Sequence, residues 1–308
     1  MLRILSFDIG GTNIRAASAD VGGQTGPVGR LGTPASDHKA FFNCLIDRIA
    51  QEPNPPEAIA ISIAGVVNPR NGTMIAANIP AIHGTNFAED LQQQVELPVY
   101  VSNDADCFAV AEANLGAGRG HDIVFGIILG TGVGGGLAVH GGLINRNGGY
   151  AGEWGHGPVS PRIAGDPPVA LPSIPCGCGL SGCLDTVVGG RGLERLHEHL
   201  HQEVRQAPDI INGWRSKERS ACRTMEIYLD VISGPLAMAV NLTGATVVPA
   251  GGGLASAHDL LVEIDRAVRP LTLANPDHPL VVPAASGPEP GLSGAALIAA
   301  QAMAQASC

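Results

Sequence analysis

The feature that most constrains this chain is a strand, glycine turn, strand pattern that occurs twice and is echoed a third time. Residues 2–9, "LRILSFDI", read as a strand, Gly10-Gly11 as a turn, and "NIRAASAD" as a returning strand. "HDIVFGIILGTGVGGGLAVHGGLI" (121–144) repeats that order, and "ATVVPAGGGL" (245–254) supplies a third strand running into glycines. Two flanked turns of this kind imply two related halves, a weak internal duplication rather than a solenoid period. A length of 308 residues also favours two domains over one.

Between the turns the chain alternates. A helix is expected near 37–51 with Asp37 as its cap, a buried strand at 58–65 and a helix at 86–95. A strand at 98–104 then leads into a helix at 105–116 that ends at Gly116. That alternation indicates α/β architecture. Further helices are expected at 192–206, 224–243 and 291–305, with a Pro- and Gly-rich irregular loop over 157–182. The expected division is a first domain over 1–117 and a second over 118–290, the final helix 291–308 returning to the first.

The net charge of −10 argues against a nucleic-acid backbone as partner. It leaves small anions open, because backbone amides bind phosphate without net positive charge. Asp8 interrupts the apolar start of "MLRILSFDIGG" and no cleavage site follows, so no leader is expected. The longest uncharged run, Val231 to Ala257, contains Pro235, Asn241, Thr243, Gly244 and Pro249. It reads as a buried helix and strand, not a membrane span. Seven cysteines is an odd number, and Cys44, Cys107, Cys222 and Cys308 are scattered. That suits free thiols in a cytoplasmic protein rather than a disulfide framework.

"DIGGTN" (8–13) puts a carboxylate at a strand end before two glycines and a hydroxyl. Backbone N–H groups at Gly10 and Gly11 with the Thr12 hydroxyl could cradle phosphate, and Asp8 could hold magnesium through water. An ordinary hairpin turn fits the same letters. "GTGVGGG" (130–136) contains G-x-G-x-x-G, but a strand pattern follows where the dinucleotide fingerprint needs a helix, so a nicotinamide site is rejected. The only two lysines, Lys39 and Lys217, do not follow glycine loops, which removes the Walker and protein-kinase alternatives.

Asp104 ends a strand and opens a helix, where a carboxylate could orient an acceptor hydroxyl and take its proton; it could equally be a helix cap. Cys176, Cys178 and Cys183 form C-x-C-x4-C with glycines between, and His156 stands 20 residues upstream. Three thiolates and an imidazole make a closed structural zinc set. A redox pair lacks its C-x-x-C, and a disulfide leaves one thiol over. "HEHLH" (197–201) reads as a solvated helix surface. Glu153 could accept hydroxyl hydrogen bonds from a sugar or be a surface acid, and the cluster would hold Asp185 rigidly.

"DIGGTN", "NDAD", "GTGVGGG", "GEWGH", "CGCGLSGC" and the late "AGGG", in this order, resemble the ROK family of bacterial sugar kinases and repressors, over residues 4 to about 300. The resemblance implies an actin/hexokinase-like (ribonuclease H-like) pair of α/β domains with a cleft, transfer of phosphate from ATP with magnesium to a hexose hydroxyl, and a homodimer. It makes Asp104 the catalytic base, with Gly65, Asn78, Asn103, Glu153 and His156 at the sugar. Asp8, Gly10, Gly11, Thr12, Thr131, Gly132, Gly251 and Gly252 would serve ATP and magnesium, and His156, Cys176, Cys178 and Cys183 structural zinc.

Two departures stand out. Asp185 occupies a position where the family commonly has Glu, which weakens its assignment to the sugar. The segment from His156 to Cys176 is about ten residues longer than in many members. That longer form, with "AANIPA" (76–81) and "NDADCFAVAEA" (103–113), resembles the N-acetylglucosamine kinase branch. Glucose and N-acetylmannosamine are the alternative substrates. A sugar-responsive repressor is disfavoured, because the first strand leaves no room ahead of it for a helix-turn-helix.

Overall fold

The computed structural model describes residues 3–144 and 148–306. The expected start of the first strand at Leu2 and the expected end of the last helix at residues 307–308 lie outside them. By contacts the chain forms two compact units. The first comprises Met1–Gly116, Gly136–Ala151 and Ser286–Cys308, the second Ala117–Gly135 and Gly152–Ala285. Residues 136–151, expected with the second domain, thus group with the first.

In the first unit β1 (Ile4–Ile9), β2 (Asn13–Ala19), β3 (Gly29–Gly32) and α1 (His38–Ala50) are followed by β4 (Ala58–Ile63). A small antiparallel pair, β5 (Val66–Val67) with β6 (Met74–Ile75), comes next. Then follow α2 (Phe87–Val95), β7 (Val99–Asn103) and α3 (Asp104–Leu115). The sheet order is β3-β2-β1-β4-β7. β1 runs antiparallel to β2 and parallel to β4, and β4 is parallel to β7. All six residues of β4 are buried, as "AIAISI", apolar except for Ser62, requires of a strand covered on both faces; the Ser62 hydroxyl is satisfied by Asp8. Asp37 caps α1, its side chain accepting the Ala40 N–H at 2.9 Å.

In the second sheet β8 (Ile123–Leu129), β9 (Val133–Val139) and β10 (Gly142–Leu143) are joined by β13 (Val248–Gly251) and β14 (Val281–Pro283), in the order β10-β9-β8-β13-β14. β13 is parallel to β8 and β14. The strand that follows "GTG" is the structural reason that G-x-G-x-x-G here is no dinucleotide fingerprint. Within the expected irregular loop, β11 (Ile163–Ala164) and β12 (Val169–Ala170) pair as a short hairpin.

The helices of the second unit are α4 (Asp185–Val188), α5 (Gly190–His201), α6 (Ala207–Arg215), α7 (Arg219–Thr243) and α8 (His258–Val268). The helix expected over 192–206 ends at His201, where Gln202 turns left-handed at φ 57°, and α6 begins beyond it. The "HEHLH" triple is solvated only in part, His199 being exposed. His197 is fully buried, its Nδ1 2.8 Å from Thr224 Oγ1, and its ring lies 4.7 Å from that of His201. α7 is apolar and long enough to cross a membrane by length and composition alone; half of its apolar window is buried against the rest of the unit.

The last helix, α9 (Pro290–Ala306), packs on α3, β1 and β4 of the first unit. Its small residues explain the fit. A Cβ at Gly294 would overlap the Cys107 carbonyl of α3, and one at Gly291 would stand 2.7 Å from the Asp8 carboxylate.

Candidate functional site

The first unit carries a cavity of about 430 Å³ at the C-terminal end of β1. Asp8, Gly10, Gly11, Thr12, Asn13 and Asp104 line it, together with Ala64, Arg15 and Arg30. Residues expected at the phosphates and the expected base therefore meet in one concave space. The turn is a tight hairpin, closed by the Gly10 N–H donating to Asn13 O at 3.0 Å and braced by Thr33 Oγ1 donating to Gly10 O at 2.7 Å. Behind Gly11 lies the backbone of Asn78, whose carbonyl would stand 3.1 Å from a Cβ there.

Both Asp8 oxygens are engaged: Oδ1 accepts from Ser62 Oγ at 2.7 Å and Oδ2 from the Arg15 guanidinium. Arg15 also pairs with Glu289 at 2.6 Å. The fit to magnesium is an outer one, since that ion keeps several of its waters and an engaged carboxylate can still accept from them.

Asn103, not Asp104, caps α3. Its Oδ1 accepts from Ala105 N at 2.8 Å and Asp106 N at 3.4 Å, and its Nδ2 donates to Gly65 O at 3.0 Å. Capping thus leaves Asp104 in the first helical turn, half-buried, with Oδ1 accepting from Ala105 N at 2.9 Å. Asn103 and Gly65 are joined to each other, while Asn78 lies against the turn at Gly11.

In the second unit His156, Cys176, Cys178 and Cys183 converge, their ligand atoms all within 4.8 Å of one another. Cys176 Sγ is 3.6 Å from His156 Nδ1, and Cys178 Sγ is 3.6 Å from Cys183 Sγ. A tetrahedral zinc with Zn–S near 2.3 Å has ligand–ligand edges of about 3.5–3.8 Å, so this donor set fits the ion. Burial pushes the Cys176 thiol up to about 12 and raises Cys183, while the Leu180 backbone N–H lowers Cys178.

His156 turns its other nitrogen, Nε2, toward Glu153 at 3.7 Å. A carboxylate behind a ligating imidazole fixes ring orientation. Burial raises the Glu153 carboxyl, partly offset by His156 and reinforced by Asp185. Asp185 itself faces the glycine turn, with Oδ1 accepting the Val133 N–H at 2.7 Å.

A second cavity, of about 500 Å³, opens from Gly130 and Thr131 of that turn. Gly190, Arg191, Glu194, Gln206, Asn212, Arg215, Gly253 and Ser256 contribute to its wall. Arg215 is held by a two-point ion pair with Asp259, both contacts at 2.7 Å. Gly252, at φ 94°, passes beneath the turn, where a Cβ would crowd Leu129 O at 2.6 Å. Gly251 pairs with Ile128 in the sheet.

Sequence reasoning missed two sets of residues. Arg15 and Arg30 bring the cationic charge to the first cavity. Arg15 was readable in principle, since alternation along β2 puts it on the same face as Asn13. The wall formed by α6 had no comparable signal, because its residues gather only through tertiary packing.

Comparison with known proteins gives the family. The ROK family model matches residues 4–302. The chain is 35% identical over 295 residues to the N-acetylgalactosamine kinase AgaK of Shewanella sp. strain ANA-3, covering 95% of each chain. It is 31% identical over 295 residues to the N-acetyl-D-glucosamine kinase of Pectobacterium atrosepticum, covering 95% of this chain and 97% of the relative. Among solved structures, a ROK hexokinase from Thermus thermophilus superposes with a TM-score of 0.84 at 27% identity, over 99% of this chain and 100% of the other. The fold is actin/hexokinase-like. The chain belongs to the ROK family, and within it to the sugar kinases.

Proposed function

We propose that this protein transfers the γ-phosphoryl group of ATP to the 6-hydroxyl of an N-acetylated amino sugar, with N-acetyl-D-glucosamine as the preferred acceptor. The observation that carries the reading is the first cavity, which gathers Asp8, Gly10, Gly11, Thr12 and Asp104. Asp104 orients the acceptor hydroxyl and takes its proton as the new O–P bond forms and the bond to ADP breaks. The Gly11 and Thr12 donors with Arg15 and Arg30 stabilise the phosphoryl oxygens, while the Gly10 N–H, expected at the phosphates, donates to Asn13 O and holds the shape of the turn. Asn103 positions Asp104 by capping α3, and its amide holds Gly65. The nucleoside occupies the cavity beside Thr131, with Gly132 in the adjoining turn and Gly251 and Gly252 supporting it.

Magnesium, when bound, neutralises phosphate charge, and Asp8 is the carboxylate that would hold it through water. Zinc, when bound by His156, Cys176, Cys178 and Cys183, supplies a rigid clip and no reaction chemistry. That clip keeps the His156 loop in place, so that Glu153 presents its carboxylate to sugar hydroxyls.

A second reading has its own support. The 35% identical relative is named for N-acetylgalactosamine. That sugar differs from N-acetylglucosamine only in the configuration at carbon 4, and both carry the acetamido group. An ATP-coupled assay across N-acetylglucosamine, N-acetylgalactosamine, N-acetylmannosamine and glucose, ranked by kcat/KM, separates the readings. Preference for glucose over every N-acetylated sugar would overturn both.

A further inference from the structure

Asp185 follows Cys183 by two residues and opens α4. Its Oδ1 accepts the Val133 N–H at 2.7 Å, and its Oδ2 lies 3.9 Å from Cys176 Sγ. A Cβ on Gly132 would overlap Oδ1, so glycine at 132 is what lets the carboxylate seat against the turn. A few residues on, the same segment closes over the other side of that turn. Gly190 N–H donates to Gly130 O at 2.8 Å and Arg191 N–H to Thr131 O at 3.3 Å. A Cβ on Gly189 would stand 2.6 Å from Thr131 O.

This strap is itself fixed along its length. Asp185 N–H donates to Gly155 O at 2.9 Å, and Arg195 gives two hydrogen bonds to Thr186 O, at 3.1 and 2.8 Å. The buried Tyr228 O–H donates to Val188 O at 3.0 Å. The run from Cys183 to Arg191 is therefore a short, braced connection between the cysteine cluster and the Gly130–Val133 turn.

We infer that Asp185 is a positioning residue for the nucleotide turn rather than a sugar contact. It hangs Val133 and Gly132 from the cysteine clip, so that order at the clip sets affinity at the turn. The inference rests on the kinase reading above only in taking the ligand of this turn to be a nucleotide phosphate. It also accounts for the aspartate: one more methylene would carry a carboxylate past the Val133 N–H, into space Gly132 does not leave.

The test uses the full-length protein with Asp185→Ala, Asp185→Asn and Asp185→Glu. It reads zinc content, KM for ATP and for the sugar, ADP affinity by calorimetry, and hydrogen exchange at the Val133 amide. Loss of a hydrogen bond to a charged group should raise ATP KM and ADP Kd about tenfold or more in Asp185→Ala, with sugar KM within about twofold. Asp185→Asn keeps an acceptor oxygen and should stay within about threefold of wild type for ATP, with Val133 still protected. Asp185→Glu keeps the charge and should weaken ATP as alanine does; this holds the inference open to refutation if alanine fails to fold.

A rise in sugar KM with ATP KM unmoved in all three variants would overturn the inference. So would unchanged Val133 exchange in Asp185→Ala. Wild-type protein that binds ADP in an Asp185-dependent way yet phosphorylates no amino sugar would overturn the proposed function and leave this inference standing. Wild-type protein that does not bind ADP would overturn both.

Discussion

The two glycine turns look alike as letters and are supported in opposite ways. The Gly10–Gly11 turn draws on its own hairpin: Asp8 stands on the strand that enters it, and Arg15 on the strand that leaves pairs with Asp8. The Gly130–Gly132 turn has no acid of its own on β8 or β9. Its carboxylate comes from Asp185, fifty-two positions away in sequence. The first turn carries its acid and the countercharge on its own hairpin; the second takes its carboxylate from the strap that follows the cysteine cluster. Duplication of a strand–turn–strand unit therefore need not duplicate the way its turn is held.

That contrast can be broken at several points. The largest effect is expected in the first unit, where Asp104→Asn keeps shape and removes the base. Steady-state kinetics should show kcat down by about 10²–10⁴, with sugar binding by calorimetry largely kept. Near-normal turnover would remove Asp104 from the chemistry.

Next comes the cluster. Cys178→Ser should take zinc by elemental analysis from about one per chain to well below that and weaken sugar and ATP together, because a tetrahedral structural site tolerates no missing ligand. If zinc is lost and both KM values hold, the second turn does not depend on the clip.

How much of this was readable beforehand differs between the turns in the same way. The cysteine spacing with His156 was legible, because ligand chemistry dictates residue type and needs only proximity in the fold. So was the strand that continues past "GTGVGGG", from its apolar pattern. The direction of the Asp185 side chain was not, since it is decided by a glycine fifty-three positions earlier. His197 was misjudged because the letters "HEHLH" read as polar, although Leu193 and Leu196 are buried on the same helix; packing against Thr224 of α7 satisfies its ring. Nothing local separates the capping role of Asn103 from Asp104, as either residue type caps well; the hydrogen bonds decide it.

Smaller effects sharpen the picture. Gly291→Ala places a methyl 2.7 Å from the Asp8 carboxylate and forces Asp8 or α9 to shift. Denaturant unfolding should show a loss of about 1–3 kcal/mol, with the metal content untouched. Asp37→Ala removes the α1 cap, and should cost about 1 kcal/mol with kcat/KM unchanged.

The central claim is that this chain phosphorylates an N-acetylated hexose. A coupled assay with purified protein, ATP and magnesium, run over N-acetylglucosamine, N-acetylgalactosamine and glucose, tests it most directly. The account predicts the highest kcat/KM for N-acetylglucosamine, with ADP formed in step with sugar 6-phosphate. Glucose as the best substrate, or no sugar-dependent ADP release from any of the three, would contradict it.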